Sequence, residues 1–448
     1  MKLKNASPGL RNPFLLFILT VFFAWGFQLS PAAAGDDDPA YNQQRKPYSC
    51  FMKSLGNMTQ GDLKDINAIS ALLPKKSLAD DETAKLNGYG AMIYEKYKAE
   101  IDALIKDYDN IAGSKNPVPS EAQFAAARIG DKIIDFSYTR SLARAMIAVA
   151  RYLQSEKRHE EALKLTFIVW RFGQIITNGD GGVPSLIMSM IGMAVKNIAA
   201  EGNFTRSLTG GSFETKFYDD FSAALLKTND DEMDMKAIMN CERRTMINVF
   251  EYEVFIKNNT KSEYSNLLGR LSDSTLIESK KYTIGIFNDC YDSVAVWLTD
   301  HAAEPYIVKG LIEKQAAEIS KNGQPTVWNF FNPSKAVGNI LLAIAIPNSS
   351  RAYDHFLRAK LYPYGAAVVS KILSGVKKGE VVPRTINEIE EICGFKLPPD
   401  CFNDKKGALV YKPAGDNFVL YSYGLNYADD NASEKDDIIL FSIPKNYK

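Results

Sequence analysis

The sequence predicts a mostly α fold: antiparallel helical hairpins, tetratricopeptide-like in part, followed by a small C-terminal α+β module carrying a β-hairpin. Three observations carry this prediction. From about residue 89 to 376 apolar residues recur at helical spacing, beginning with Tyr94, Tyr97, Ile101, Leu104, Ile105 and Tyr108. Glycines and prolines interrupt that pattern at intervals that suit short turns between antiparallel neighbours. Past residue 377 the texture becomes short β-branched and aromatic runs around a Gly415-Asp416 turn.

Residues 1–34 read as a secretory leader. Lys2, Lys4 and Arg11 stand among the first 13 residues without an acid, and an apolar run follows from Phe14 to Leu29. Ala32-Ala33-Ala34 then precede Gly35. A basic start, an apolar middle and small residues before the cut are the parts of a cleavable signal peptide, because the peptidase accepts only short side chains there. The apolar run is 16 residues long, interrupted by Thr20, Gly26 and Gln28; a spanning helix usually needs roughly 18 or more. The expected product is periplasmic or secreted and keeps no membrane span after cleavage. The alternative is an uncleaved leader that anchors the chain to the inner membrane.

Residues 35–88 read as a flexible, polar N-terminus (GDDDPAYNQQRKPY) followed by a mixed segment. The helical body spans 89–376. Asn116-Pro-Val-Pro119 breaks its first run, and Ser120-Glu-Ala-Gln123 has the form of a capping box. The clearest helices are SYTRSLARAMIAVARYLQSE (137–156), HEEALKLTFIVWRFGQIITN (159–178) and SLIMSMIGMAVKNIAAEG (185–202). Lys157-Arg158 turns between the first two, and Asn178-Gly-Asp-Gly-Gly182 stops the second. Further helices are expected at about 214–228, 231–258, 276–300, 303–320 and 351–373, the last closed by Gly375. Gln324 to Pro333 is an aromatic loop, and the 11 apolar residues Ala336 to Ile346 read as core. In the module, residues 377–448, a short helix runs to Cys393 with Thr385 or Asn387 as its cap, before strands at 408–411, 418–423 and 437–441.

The 448-residue chain holds 53 basic and 53 acidic residues; loss of the leader leaves 50 against 53. That balance points away from nucleic acid as a partner. Five cysteines lie beyond the leader, and export permits disulfides. Cys393 with Cys401, and Cys241 with Cys290, are the candidate pairs, leaving Cys50 over; ordinary buried thiols are the alternative.

Catalytic signatures are sparse. His159, His301 and His355 are the only histidines, and no HExxH or GxSxG occurs. Ser374-Gly-Val-Lys377 fits Ser-x-x-Lys without its companion motifs. The glycine clusters at 178–182 and 209–212 lack a following Lys-Ser/Thr and read as turns. Glu251 with Glu253, and Asp289 with Asp292, are the carboxylate pairs nearest to an acid–base arrangement. Met188, Met190 and Met193 read as core packing.

Two resemblances rest on particular residues. Ala148, Tyr152 and Leu153 before the turn, with Glu161-Ala162-Leu163 after it, resemble one tetratricopeptide unit; no second copy follows at a period of about 34 residues. From Tyr362 on, the chain resembles the end of a type II secretion pseudopilin. The shared pieces are a long helix, Val382-Pro383, Leu397-Pro398-Pro399-Asp400-Cys401-Phe402, Leu409-Val-Tyr411, Leu420-Tyr-Ser-Tyr-Gly424 and Asp437-Ile438. Cys401 stands where that family carries proline. The whole arrangement is similar to a group of exported bacterial helical proteins, which implies a fold and no activity. The pseudopilin resemblance implies calcium in the acidic loop, where Asp429, Asp430, Asp436 and Asp437 offer hard oxygens beside Asn431. A solvated acidic turn is the other reading.

The expected function is that of a non-catalytic extracytoplasmic scaffold binding a protein or peptide partner in the cell envelope. An enzyme of the hydrolase class with a cleft between helices, and a membrane-anchored secretion component, are the rivals. A deep polar pocket favours the enzyme, and a shallow apolar groove the binder. Mass spectrometry of the mature N-terminus tests the leader: a chain beginning at Gly35 is expected, and one retaining Phe14 to Leu29 would establish the anchored form.

Overall fold

The computed structural model describes residues 55, 58–59, 61–73, 78–114, 136–178, 186–201, 203–230, 234–249, 251, 273–302, 304–322, 335, 339, 349–403, 407–414, 417–433 and 437–442. The leader, Cys50, the Ser120 capping box, the glycines at 179–182, Glu253, the stretch 324–333, all of 336–346 except Asn339, and Asp436 lie outside the described residues. The fold is mostly α, with one small antiparallel sheet near the C-terminal end, as the periodicity predicts.

A short helix, Ile66–Ile69 (α1), precedes Asp80–Lys96 (α2), Lys98–Lys106 (α3) and Tyr108–Gly113 (α4). α2 begins ahead of residue 89, so the boundary expected at 88 falls within a helix. Its first turns are polar and show no apolar period. They are helical because Asp80, Asp81 and Glu82 suit the positive end of the helix, and Glu82 accepts the Ala79 N–H at 3.2 Å.

Phe136–Ser155 (α5) and His159–Thr177 (α6) form the predicted hairpin, with Lys157 left-handed in its turn at φ 62°. From Ala162 to Thr177, α6 is buried on almost every face except at Lys164, which makes it the central helix of the body. Around it Phe167 meets Tyr108 at 5.3 Å and Phe221 at 5.8 Å, and Trp170 meets Phe204 at 6.5 Å. These are edge-on aromatic contacts between helices far apart in sequence.

Leu186–Ala200 (α7) crosses α6 so closely that side chains are excluded at the contact. A Cβ on Gly173 would lie 2.7 Å from the Gly192 carbonyl oxygen, and one on Gly192 would lie 2.4 Å from that of Gly173. α2 approaches α5 in the same way, where a Cβ on Gly90 would meet the Ala148 carbonyl at 2.3 Å. Met193 is fully buried, and Met188 and Met190 pack against the core, as their helical spacing predicts.

Asn203–Gly210 (α8), Thr215–Asp230 (α9), Met235–Val249 (α10), Asp273–Asp300 (α11) and Pro305–Asn322 (α12) follow. The long helix Ser349–Lys377 (α13) packs along α9 and α7 and contains Pro363. It runs past Gly375, the expected stop, to Lys377, and Gly379 just beyond has φ 91°. Gly375 lies inside the helix, with the Glu380 carboxylate over it.

The module opens with Ile386–Cys393 (α14). The Thr385 hydroxyl accepts the Glu388 N–H at 3.3 Å, and Gly394 closes the helix at φ 72°. Three antiparallel strands, Val410–Ala414 (β1), Asn417–Ser422 (β2) and Ile438–Ser442 (β3), lie in the order β1-β2-β3. Val410 pairs with Tyr421 and Leu420 with Phe441, and the register shifts between Leu420 and Tyr421. The sheet docks on the body. Leu440 sits where a Cβ on Gly365 of α13 would come within 2.7 Å, and Thr205 Oγ1 donates to the Leu440 carbonyl at 3.1 Å.

The glycine contacts are testable. Gly173→Ala and Gly192→Ala insert a methyl against backbone and are expected to lower unfolding free energy by about 1–3 kcal/mol. Gly285→Ala in α11 meets nothing within 4 Å; it is expected to stabilise by roughly 0.5–1 kcal/mol through helix propensity. Urea melts of the three variants check both signs.

Candidate functional site

In the acidic loop the structure turns three of the predicted carboxylates, Asp429, Asp430 and Asp437, toward protein donors. Asp429 accepts the Tyr421 hydroxyl at 2.7 Å and the Asn431 N–H at 2.9 Å. Those bonds, with Lys412 at 3.8 Å, hold its carboxyl below the usual range. Asp437 accepts the N–H groups of Ser433 at 2.8 Å and Asp430 at 3.4 Å. Asp430 accepts from the Asn426 side-chain amide. Among the described residues no group of three or more His, Cys, Asp or Glu side chains is arranged to hold a metal ion.

Asp400, within the pseudopilin-like Leu397 to Phe402 piece, serves as a buried brace. Its carboxylate accepts the Phe402 N–H at 2.9 Å, the Ser422 hydroxyl at 2.6 Å and the Tyr423 N–H at 3.0 Å. Burial raises its pKa against the pull of those donors.

The four described cysteines are thiols in this structure. Burial pushes Cys290 up to about 11 and Cys393 up to about 12, so neither is an activated nucleophile. Cys393 feels the charge of Lys371 and Cys401 that of Asp354. Those two positions lie about 25 Å apart along α13 at the helical rise per residue. Cys241 and Cys290 sit on α10 and α11, which pack together.

His159 is half-buried against Gly210 and Gly211, and burial lowers its pKa. His301 faces Glu304 at 3.3 Å. Asp292 pairs with Arg243, which leaves it poorly placed for acid–base work with Asp289. Lys377 does not meet Ser374: its ammonium donates to the Ser212 hydroxyl at 2.7 Å, so the Ser-x-x-Lys spacing forms no dyad.

A cleft of about 520 Å³ opens at the seam between body and module. It is lined by Asp219 of α9, by Lys371, Ser374 and Gly375 of α13, by Glu391 and Ile392 of α14, and by Lys378 and Glu380 between the two helices. Lys371, Ser374, Gly375 and Lys378 follow i, i+3, i+4, i+7 spacing, which brings them to one helical face. Lys371 donates to Asp219 at 2.8 Å, and Lys378 stands 3.7 Å from the same carboxylate. Burial alone would raise the Asp219 pKa; Lys371, Lys378 and Ser374 outweigh it and hold the carboxyl below its usual range. A carboxylate so held is a weak base, and the Ser374 side chain is almost wholly buried.

No protein-family model, curated protein or solved structure matches the chain.

None of the cleft's charged residues stood out in the sequence. The i, i+7 spacing of Lys371 and Lys378 was available as a signal, but Asp219 lies 152 positions from Lys371. Their half-exposed pair is worth about 0–1 kcal/mol. The stability advantage of wild type over Asp219→Asn is expected in full above the ordinary carboxylate value of 3.8. It is expected to shrink as pH falls through the depressed folded value, because the protonated acid loses both ammonium partners. Thermal melts of the two proteins from neutral to acid pH check this.

Proposed function

We propose that the protein is exported to the periplasm or beyond and acts there without catalysis, as a scaffold that binds a protein or peptide partner at the seam cleft. The observation that carries this reading is the state of the cleft's polar groups. The candidate base and nucleophiles are ion-paired or buried, and none is set up to attack. Asp219 is a weakened base, Ser374 is covered, and the nearby Cys393 thiol is held protonated. The cleft is also polar, where an apolar groove was the expectation for a binder. A polar lining suits a charged or hydrogen-bonding segment of a partner and gives little to a lipid tail.

One feature favours the hydrolase reading: Ser374 lies beside Asp219 with two lysines close by. The anchored reading rests on the apolar run Phe14 to Leu29.

Selection of a phage-displayed peptide library separates binder from enzyme. Wild type is expected to enrich related sequences, and the Lys371→Glu/Lys378→Glu double variant to lose them. Failure to enrich anything beyond an unrelated helical control would sink the binding reading. Turnover of chromogenic ester, amide or glycoside substrates that Ser374→Ala abolishes would replace it with the hydrolase.

A further inference from the structure

Helix α5 lies deep in the body, with α2, α6 and α7 packed on it. From Thr139 to Arg151 every residue of it is buried except two, Arg140 and Arg144. They stand one turn apart on one helical face, where Cβ atoms at i and i+4 are about 5–6 Å from each other. A core helix thus reaches solvent at one place along this stretch, and what it shows there is a pair of guanidinium groups.

Two cations so placed repel. Burial and the charge of Arg140 both work against the charge on Arg144 and lower its pKa. Arg144 makes no hydrogen bond or ion pair with a described residue. Arg151, two turns beyond it on the same face, adds a third positive charge and feels that of Arg206 on α8. Carboxylates are at hand but turned elsewhere. The chain from Met58 to Leu73 is fastened at both ends of the stretch: the Tyr138 hydroxyl donates to the Met58 carbonyl at 3.1 Å, and Arg151 donates to that of Leu73 at 2.7 Å. Its Asp62 accepts the Tyr97 hydroxyl at 2.6 Å and pairs with the Lys96 ammonium of α2. Its Asp65 bears on Tyr89 of α2.

An anion between the two arginines turns repulsion into attraction. Each guanidinium offers a planar fork of N–H donors. A carboxylate has two oxygens in one plane and is satisfied by a single fork, whereas a tetrahedral oxyanion has oxygens for two. The helix is covered before and after the pair along its axis, which suits a compact ligand better than a polymer strand.

We infer that Arg140 and Arg144 form an oxyanion site that takes inorganic phosphate or a small phosphate monoester. The site is built on other helices than the seam cleft and stands whether or not a peptide binds there.

Thermal melts and isothermal titration of the full chain with inorganic phosphate test this on wild type, Arg144→Met and Arg144→Lys, at one ionic strength set with sodium chloride. Met keeps an apolar stem and removes the charge, and Lys keeps the charge and removes the fork. Without phosphate, Arg144→Met is expected to melt above wild type; a lower midpoint would remove the repulsion on which the site is argued. Phosphate is expected to raise the wild-type midpoint and to leave that of Arg144→Met unchanged. Arg144→Lys is expected to bind phosphate about tenfold more weakly than wild type, the scale of one lost charge-assisted contact. Glycerol phosphate in place of phosphate separates the two sources: tighter binding assigns the site to monoesters, weaker binding to the free ion.

An equal rise in wild type and Arg144→Met would overturn the inference, as would a rise that sodium chloride reproduces or a wild type that phosphate does not move. Should Arg144→Met fail to fold, undiminished binding by Arg144→Lys sinks the site on its own.

Discussion

Gly173 on α6 and Gly192 on α7 set how near two central helices come, and much else is placed by that approach. With backbone against backbone at the crossing, neither helix has room to slide or roll. α6 is hemmed in along nearly its whole length, so its few polar side chains are aimed at fixed targets. Arg171 donates to the Ser114 carbonyl at 2.6 Å and to Gln174 at 2.6 Å, and Gln174 in turn donates to the Thr228 carbonyl. These bonds tie the C-terminal ends of α4 and α9 to the centre. α9 carries Asp219, and α13, packed on both α7 and α9, carries the two lysines. The geometry of the cleft is therefore inherited from a contact between two residues that have no side chains.

Charge inside the body is used as a locating device. Arg151, 4% exposed, donates to Asn203 at 2.9 Å and to the Leu73 carbonyl at 2.7 Å, joining α5 to α8 and to the segment after α1. Glu242 of α10 accepts the Leu186 N–H at 2.8 Å at the start of α7, and burial raises its pKa. Lys196 lies 5.4 Å from the Trp170 ring centre. Burying such groups is costly unless their hydrogen bonds are made, so each favours one arrangement of helices over neighbouring ones.

The sequence made the helices legible where one face is apolar and the ends are marked. The hairpin at Lys157-Arg158, the short helix capped by Thr385 and the three strands were all readable from spacing and turn residues. Two ends were misplaced for physical reasons. The start of α2 is polar and held by charge, so no apolar period announces it. Gly375 looked like a stop because a glycine near a helix end usually is one; the left-handed residue is Gly379. The cleft was illegible because its acid and its bases come from helices far apart in the chain. Lysines and glutamates on helices look like solvent-facing residues until a second wall stands opposite them. The acidic loop drew notice through its density of aspartates, yet those of its carboxylates seen here largely serve to cap the loop's own backbone.

The fit of Leu440 against Gly365, and the Thr205 bond that reaches 235 positions along the chain to the Leu440 carbonyl, bear on the order in which the protein takes shape. The strand that makes both contacts, β3, follows α13 and the other two strands in chain order. Until it arrives, the Gly365 face of α13 is bare, and β2 is paired on one side only. Helical hairpins built on local contacts form early, whereas pairings across such separations come late. Docking of the small sheet on α13 thus waits on β3, and a chain cut before that strand keeps its helical hairpins while losing the Leu440 contacts.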